Sequence, residues 1–149
     1  MYRQTAREIA VHLAYELNFT DLTTEELLNG RLNPEAFESL SKEDELYQDP
    51  PDKEQESYIR RLVSGVASHG GELDDYIEKY ARGWTFARIS LMASAIMRTA
   101  MYEILYMPEI PDAAAINSAI EIAKKYETPE TVRFINGILG GFTRQERET

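Results

Sequence analysis

The stretch ISLMASAIMRTAMYEILYM, residues 89–107, decides the fold because apolar side chains cover almost every side of it. Its only charged residues are Arg98 and Glu103. Read as a helix, it is roughly 28 Å long at about 1.5 Å per residue. A helix that is apolar nearly all round has to be covered by neighbours on most sides. Thr85 is a candidate N-cap ahead of this helix, and Pro108 closes it.

A membrane-spanning helix is the alternative reading of this stretch, since the length would suffice. Arg98 in the middle, Glu103 near the end, and the interspersed serines and threonine make insertion into a bilayer costly. The pattern therefore favours the central helix of a soluble helical bundle over a membrane span.

The rest of the chain carries amphipathic helical patterns, and no stretch alternates with period two over a useful length. We therefore predict an all-α fold of about seven helices. Thr5–Glu8 has the form of a capping box, and Asp52, Asp112 and Thr128 are further candidate caps. The glycine pairs are predicted to end helices; these are Gly70-Gly71 and Gly140-Gly141.

The length of 149 residues suits one domain or two small lobes that share a core. We place a single domain at residues 1–141, followed by a frayed tail at 142–149. The net charge is −10, and its acidity is concentrated in the variable segment within residues 20–57. Residues 21–57 hold twelve acidic and three basic side chains, so a basic face elsewhere remains possible. The chain has no cysteine and no signal peptide pattern, which predicts a cytoplasmic protein.

The patterns that mark enzymes and metal sites are missing from the sequence. His12 and His69 each stand alone, and no cysteine or histidine lies at metal-ligand spacing. Asp74, Asp75 and Glu78 cluster on one helical turn, which is typical of a solvated face. We therefore predict that the protein is not an enzyme and holds no cofactor.

Arginines at the start of the first predicted helix are unusual, because cations there oppose the helix dipole. Arg3 and Arg7 occupy these positions. They are either tolerated surface cations or part of a site for an anion, where arginines and free helix N–H groups converge.

Several motifs resemble one family, the NusB transcription antitermination factors. Residues 3–10, RQTAREIA, resemble its arginine-rich N-terminal motif, and residues 98–103, RTAMYE, resemble its central LRLALYE. Ile110-Pro111 followed by residues 115–126, AINSAIEIAKKY, resembles IP…AINEAVELAKKF. Residues 133–139, RFINGIL, resemble KFVNGVL. The order and spacing of the motifs together make the resemblance specific.

The resemblance implies two small helical bundles that share a long central helix. It also implies binding to a short single-stranded RNA element, boxA, together with the small-subunit ribosomal protein NusE. That complex would load onto RNA polymerase and promote processive transcription of ribosomal RNA operons. No membrane partner is implied, and the sequence leaves open whether the free protein is a homodimer.

The resemblance also implies site residues. The RNA-binding set is Arg3, Gln4, Arg7, Glu130, Arg133 and Phe134. The set facing NusE is Tyr15, Phe19, Ala93 and Ser94, where the last two replace an acidic-basic pair common in the family. Asn117 and Asn136 match family asparagines, and we expect them to be buried hydrogen-bonding residues rather than ligands.

Two functional hypotheses follow from these expectations. In the first, arginines from both ends of the chain meet beside an aromatic ring and bind RNA. In the second, the chain is a protein-interaction module of the same fold with little RNA affinity of its own, as the replacement of one arginine by Gln4 and the acidic segment suggest.

Overall fold

A computed structural model describes residues 1–83 and 88–147 of the chain. Within these residues there are α-helices, a short 3-10 turn at Glu45–Tyr47, and no strand. The predicted all-α fold is therefore confirmed, with eight α-helices in the described residues instead of about seven. In chain order they are α1 (Arg3–Glu16), α2 (Thr24–Arg31), α3 (Pro34–Ser41), α4 (Lys53–Ser68), α5 (Gly70–Tyr80), α6 (Leu91–Tyr106), α7 (Asp112–Tyr126) and α8 (Pro129–Arg147).

The chain divides into two compact units, residues 1–67 and residues 68–149. The first unit holds α1 to α4, and the second holds α5 to α8. The proposed boundary of a single domain over residues 1–141 stays a prediction.

The second unit is built around α6, which packs against α5, α7 and α8. Side chains on nearly every side of α6 are buried, as the apolar stretch predicted; they include Ala93, Ile96, Met97, Ala100, Met101 and Ile104. Among the described residues, no helix is long and apolar enough to cross a membrane. The interpretation of residues 89–107 as a buried helix is therefore correct.

The first unit buries the apolar faces of its helices in the way their spacing predicted. Its buried side chains include Ile9, Leu13, Leu27, Phe37, Ile59 and Leu62. The 3-10 turn packs against α3, where the ring of Tyr47 meets Phe37 edge-on at 5.5 Å between centroids. Helix α3 ends at Ser41, and the 3-10 turn follows it as a separate element.

Several predicted helix starts differ from the observed ones. Helix α1 begins at Arg3 without a side-chain cap, so the capping box at Thr5–Glu8 does not form. Glu8 is buried in the helix instead of turning back to its N-terminus. A capping box forms at Thr23, whose side chain accepts from the backbone N–H of Glu26 while Glu26 accepts from Thr23.

Other caps divide between correct and wrong predictions. Asp52 accepts from the backbone N–H of Gln55, and Thr128 from that of Thr131, as predicted. Asp112 is the first residue of α7 and not its cap. Ser90 caps α6 by accepting from the backbone N–H of Ala93, whereas the candidate cap Thr85 lies outside the described residues.

The glycine pairs do not act as helix ends. Gly70-Gly71 begins α5 after a break of one residue, and Gly140-Gly141 lies inside α8. Helix α8 continues because Phe142 is fully buried, with its ring edge-on to Tyr76 at 5.1 Å between centroids. Tertiary packing therefore outweighs the low helix propensity of the two glycines, and the prediction of a frayed tail from residue 142 is wrong through residue 147.

Candidate nucleic-acid interface

An open groove runs between α7 and α8 in the second unit, and we call it the α7–α8 groove. Its volume is about 320 Å³, and it is lined by Asn117, Ile120, Glu121, Lys124, Val132, Arg133 and Asn136. A neighbouring depression of about 410 Å³ shares Lys124, Val132 and Arg133 with it and extends toward Pro129. The two hollows are therefore parts of one concave surface, with Lys124 and Arg133 at their common wall.

Arg133 is the cation most available to a ligand on this surface. Its side chain is exposed, and it has no ion-pair partner among the described residues. Lys124 is also exposed, but its ammonium group lies 3.1 Å from the Glu121 carboxylate. Arg133 can therefore neutralise an incoming phosphate without first breaking an internal ion pair.

The start of α8 determines how the other predicted RNA residues are presented. Thr128 caps the helix and Pro129 occupies its first position, where the missing N–H is not needed. Glu130 then lies exposed in the first turn, and Phe134 follows one turn later as a half-buried ring. A ring held on one side by the protein can offer the other side to an unpaired base.

The two asparagines were expected to be buried, and that prediction is wrong. Asn117 on α7 and Asn136 on α8 are both exposed and line the α7–α8 groove. Each amide carries both donors and an acceptor, which suits the edge of a splayed base. The signal that could have found them is helical spacing, because Asn117 and Lys124 share a face of α7 while Arg133 and Asn136 share a face of α8.

The N-terminal arginines belong to the first unit and are engaged within it. The guanidinium carbon of Arg3 lies 3.9 Å from the centroid of the Tyr58 ring. Its Nη2 donates to the Glu54 carboxylate over 3.4 Å. Arg7 is only 6 % exposed, and its guanidinium carbon lies 5.8 Å from the same ring centroid.

These contacts change the interpretation of the arginine-rich start. A charged side chain as buried as Arg7 contributes to the core of its unit, so the interpretation of Arg7 as a tolerated surface cation is wrong, and its part in an anion site stays a prediction. Arg3 stays half-exposed, and Gln4 is exposed beside it. The residues of this motif that remain accessible to RNA are therefore Arg3 and Gln4.

The residues expected to face NusE separate into an aromatic pair at the surface, of which Phe19 is exposed, and a buried pair. Tyr15 is half-buried, and its ring meets Phe19 edge-on at 5.0 Å between centroids. Phe19 is 64 % exposed, which leaves a large apolar surface uncovered. Ala93 and Ser94 are buried inside α6, which contradicts a position on a partner-facing surface.

Polar groups elsewhere serve the structure of each unit. Asp74, predicted to lie on a solvated face, forms a bidentate ion pair with Arg98 through Nε and Nη2, at 2.6 and 2.8 Å.

In the first unit, burial and the nearby Glu16 carboxylate raise the pKa of Tyr47 to about 12. Its hydroxyl lies 3.2 Å from Nδ1 of His12. Over the described residues, no group of histidines and carboxylates could hold a metal ion.

Comparison with known proteins identifies the family. The NusB family profile matches residues 4–144. A transcription antitermination protein NusB from Acetivibrio thermocellus is 38 % identical over 140 residues, which cover 94 % of this chain and 87 % of the relative. The NusB of Lysinibacillus sphaericus is 32 % identical over 146 residues, covering 98 % of this chain and all of the relative.

Solved structures agree with this assignment. NusB from T. maritima superposes with a TM-score of 0.78 at 27 % identity, covering 97 % of this chain and 92 % of that one. A NusB chain solved with NusE and double-stranded RNA superposes with a TM-score of 0.75 at 22 % identity, over 96 % of each chain, and shows the shared fold. Members of this family are transcription antitermination proteins and not enzymes. The chain belongs to the NusB family.

Proposed function

We propose that this protein is an RNA-binding transcription antitermination factor that binds boxA RNA together with NusE. In this role it promotes processive transcription of ribosomal RNA operons by RNA polymerase, in the cytoplasm. The observation that carries the proposal is Arg133, an exposed arginine without an ion-pair partner in the described residues, set in the α7–α8 groove. Family membership and a NusB neighbour solved with NusE and RNA support it.

The groove offers the three kinds of contact that single-stranded RNA needs. Arg133 neutralises a phosphate, and Phe134 stacks on an unpaired base, a contact worth about 1–3 kcal/mol. Glu130 accepts a hydrogen bond from an exocyclic amine of a splayed base. Asn117 and Asn136, which line the groove, add donors and acceptors for the edges of neighbouring bases.

The contact with NusE is proposed to involve the aromatic pair Tyr15 and Phe19 of the first unit. Their rings pack edge-on, with Phe19 exposed, and aromatic side chains are enriched in protein interfaces. Because Ala93 and Ser94 are buried, we omit them from the proposed contact.

The test is a binding titration with two RNAs of equal length, a boxA RNA and a scrambled one, each measured with and without NusE. We expect the boxA RNA to bind more tightly, and the preference to grow when NusE is present. Equal affinity for the two RNAs in the presence of NusE would overturn the proposal.

A second function is favoured by the N-terminal arginines. Arg7 is buried and Arg3 is held by Tyr58 and Glu54, so this motif offers RNA less charge than its sequence suggests. The acidic segment of the first unit also repels a polyanion. A protein-interaction module with little RNA affinity would retain NusE after nuclease treatment and would not shift a boxA RNA.

A further inference from the structure

A second concave surface lies in the second unit, between the end of α5 and the later turns of α8. Its volume is about 440 Å³, and it is lined by Lys79, Tyr80, Arg82, Gly137, Gly141, Arg144 and Gln145. We call it the α5–α8 hollow. Three of its seven lining residues are cationic, although the whole chain has a net charge of −10.

The two arginines of the hollow are available to an anion. Arg82 and Arg144 are exposed, and neither has an ion-pair partner among residues 1–83 and 88–147. The third cation is neutralised, because Nζ of Lys79 lies 2.8 Å from the Glu146 carboxylate. That carboxylate also accepts from the Tyr80 hydroxyl, which fixes it at the edge of the hollow.

The floor of the hollow consists of helix backbone without side chains. A Cβ at Gly137 would have no neighbour within 4 Å, and one at Gly141 would make ordinary contact with Tyr80 at 3.4 Å. Packing therefore requires glycine at neither position, although glycine in a helix interior lowers stability relative to alanine. Because no side chains project from these two glycines, the backbone of a ligand can approach the backbone of α8 closely.

Helix α8 contributes residues to both the hollow and the α7–α8 groove. Arg133, Gly137, Gly141 and Arg144 are separated by four, four and three residues, the spacing of one helix face. Eleven residues at about 1.5 Å each separate the two arginines by roughly 16 Å along the helix axis. A Cβ added at Gly140 would lie 3.3 Å from Nη1 of Arg144, so the Arg144 guanidinium lies back along α8 beside Gly140.

We propose that this face of α8 is a track for the phosphodiester backbone of RNA that flanks the boxA element. Arg133 holds the RNA at one end, and Arg144 and Arg82 hold phosphates at the other. A planar guanidinium suits phosphate because it can donate two parallel hydrogen bonds. The inference rests on the proposed RNA-binding function and adds a second contact surface to it.

The test compares a core boxA RNA with the same RNA extended at both ends by roughly six uridines, within the usual range of single-stranded site sizes. Both are titrated into the full chain with NusE present. We expect the extended RNA to bind the wild-type protein more tightly. The double variant Arg82→Ala/Arg144→Ala should lose that gain, roughly five- to tenfold, and keep its affinity for the core RNA.

Two further variants separate the track from general effects. Lys42→Ala/Lys53→Ala removes the same charge from exposed positions of the first unit and should keep the gain from the extension. Gly137→Gln places a side chain on the floor without a clash and should abolish the gain while stabilising α8. Gly30→Gln is its control, because Gly30 is also helical and open, and the gain should persist.

The outcomes distinguish failure of the track from failure of the proposed function. If neither RNA binds the wild-type protein, the RNA-binding function is overturned and the track with it. If the core RNA binds but the extension adds nothing, or if the double variant keeps the gain, the track alone is overturned. If the double variant binds both RNAs normally but retains less NusE, the hollow serves a protein partner and the track is overturned.

Discussion

The first and last helices both carry arginines of the predicted RNA-binding set, but the two units hold these arginines differently. In the first unit, Arg7 is buried, and Arg3 lies over Tyr58 with Glu54 beside it. In the second unit, Arg133 is exposed in the α7–α8 groove without an ion-pair partner among the described residues.

The difference teaches that an arginine at a motif position does not by itself define a binding site. Whether an arginine can bind a ligand depends on whether side chains from distant parts of the sequence already contact its guanidinium group. Tyr58 and Glu54 lie on α4, some fifty residues from the arginines that they contact. The arginines of the first unit are therefore largely structural, whereas Arg133 of the second unit is exposed and has no ion-pair partner in the part of the chain that the structure describes.

The largest expected effect is on the stability of the first unit. Arg7→Ala should lower the free energy of unfolding by about 3 kcal/mol, because it removes a large buried side chain and leaves a cavity among the groups packed around it. Urea unfolding followed by circular dichroism measures this. A loss below about 0.5 kcal/mol is typical of surface substitutions. Such a result would contradict the structural role of Arg7 and would make it an available cation like Arg133.

A smaller loss of stability should appear in the first unit at high pH. Because burial raises the pKa of Tyr47 from 10.0 to about 12, the neutral phenol stabilises the fold. This stabilisation is complete below pH 10 and is lost as the pH rises through 12, on the order of 2 kcal/mol in all. Unfolding measured between pH 9 and about 12 should show the loss, and Tyr47→Phe should remove this pH dependence. If the free energy of unfolding fell equally with pH in wild type and in Tyr47→Phe, the stabilising role of the buried phenol would be contradicted.

Arg133→Ala should show the opposite behaviour to Arg7→Ala. The change removes an exposed side chain, so the free energy of unfolding should stay within about 0.5 kcal/mol of wild type. Affinity for boxA RNA in the presence of NusE should fall on the order of tenfold, because a phosphate contact is lost. Arg133→Lys keeps the charge and should recover part of the affinity. Unchanged affinity for boxA RNA would show that Arg133 is no more available to RNA than the arginines of the first unit.

The smallest expected effect concerns Arg3, which stands between the two cases. Glu54→Gln removes the carboxylate that pairs with Arg3 and leaves a side chain of similar size. The freed guanidinium should strengthen boxA binding by roughly two- to threefold at low salt, since an exposed ion pair of this kind is weak. Glu56→Gln is a control on the same helix, where Glu56 pairs with Arg60. If both variants strengthen binding equally, the effect reflects net charge and not Arg3.

The sequence predicted the all-α fold and the buried helix at residues 89–107, because apolar periodicity reports directly which faces are covered. It placed the end of α8 wrongly, because contacts between Phe142 and α5 outweigh local glycine propensity. It also missed the burial of Arg7 and of Ala93 and Ser94, and the exposure of Asn117 and Asn136. Those features depend on packing between helices, which a motif in one segment does not report.

The most direct test of RNA binding in the α7–α8 groove is the salt dependence of boxA affinity. The dissociation constant would be measured over a series of salt concentrations for wild type and for Arg133→Ala, with NusE present. If Arg133 contacts a phosphate, the slope of log affinity against log salt should become less steep by about one in the variant. Two parallel lines would contradict a phosphate contact at Arg133.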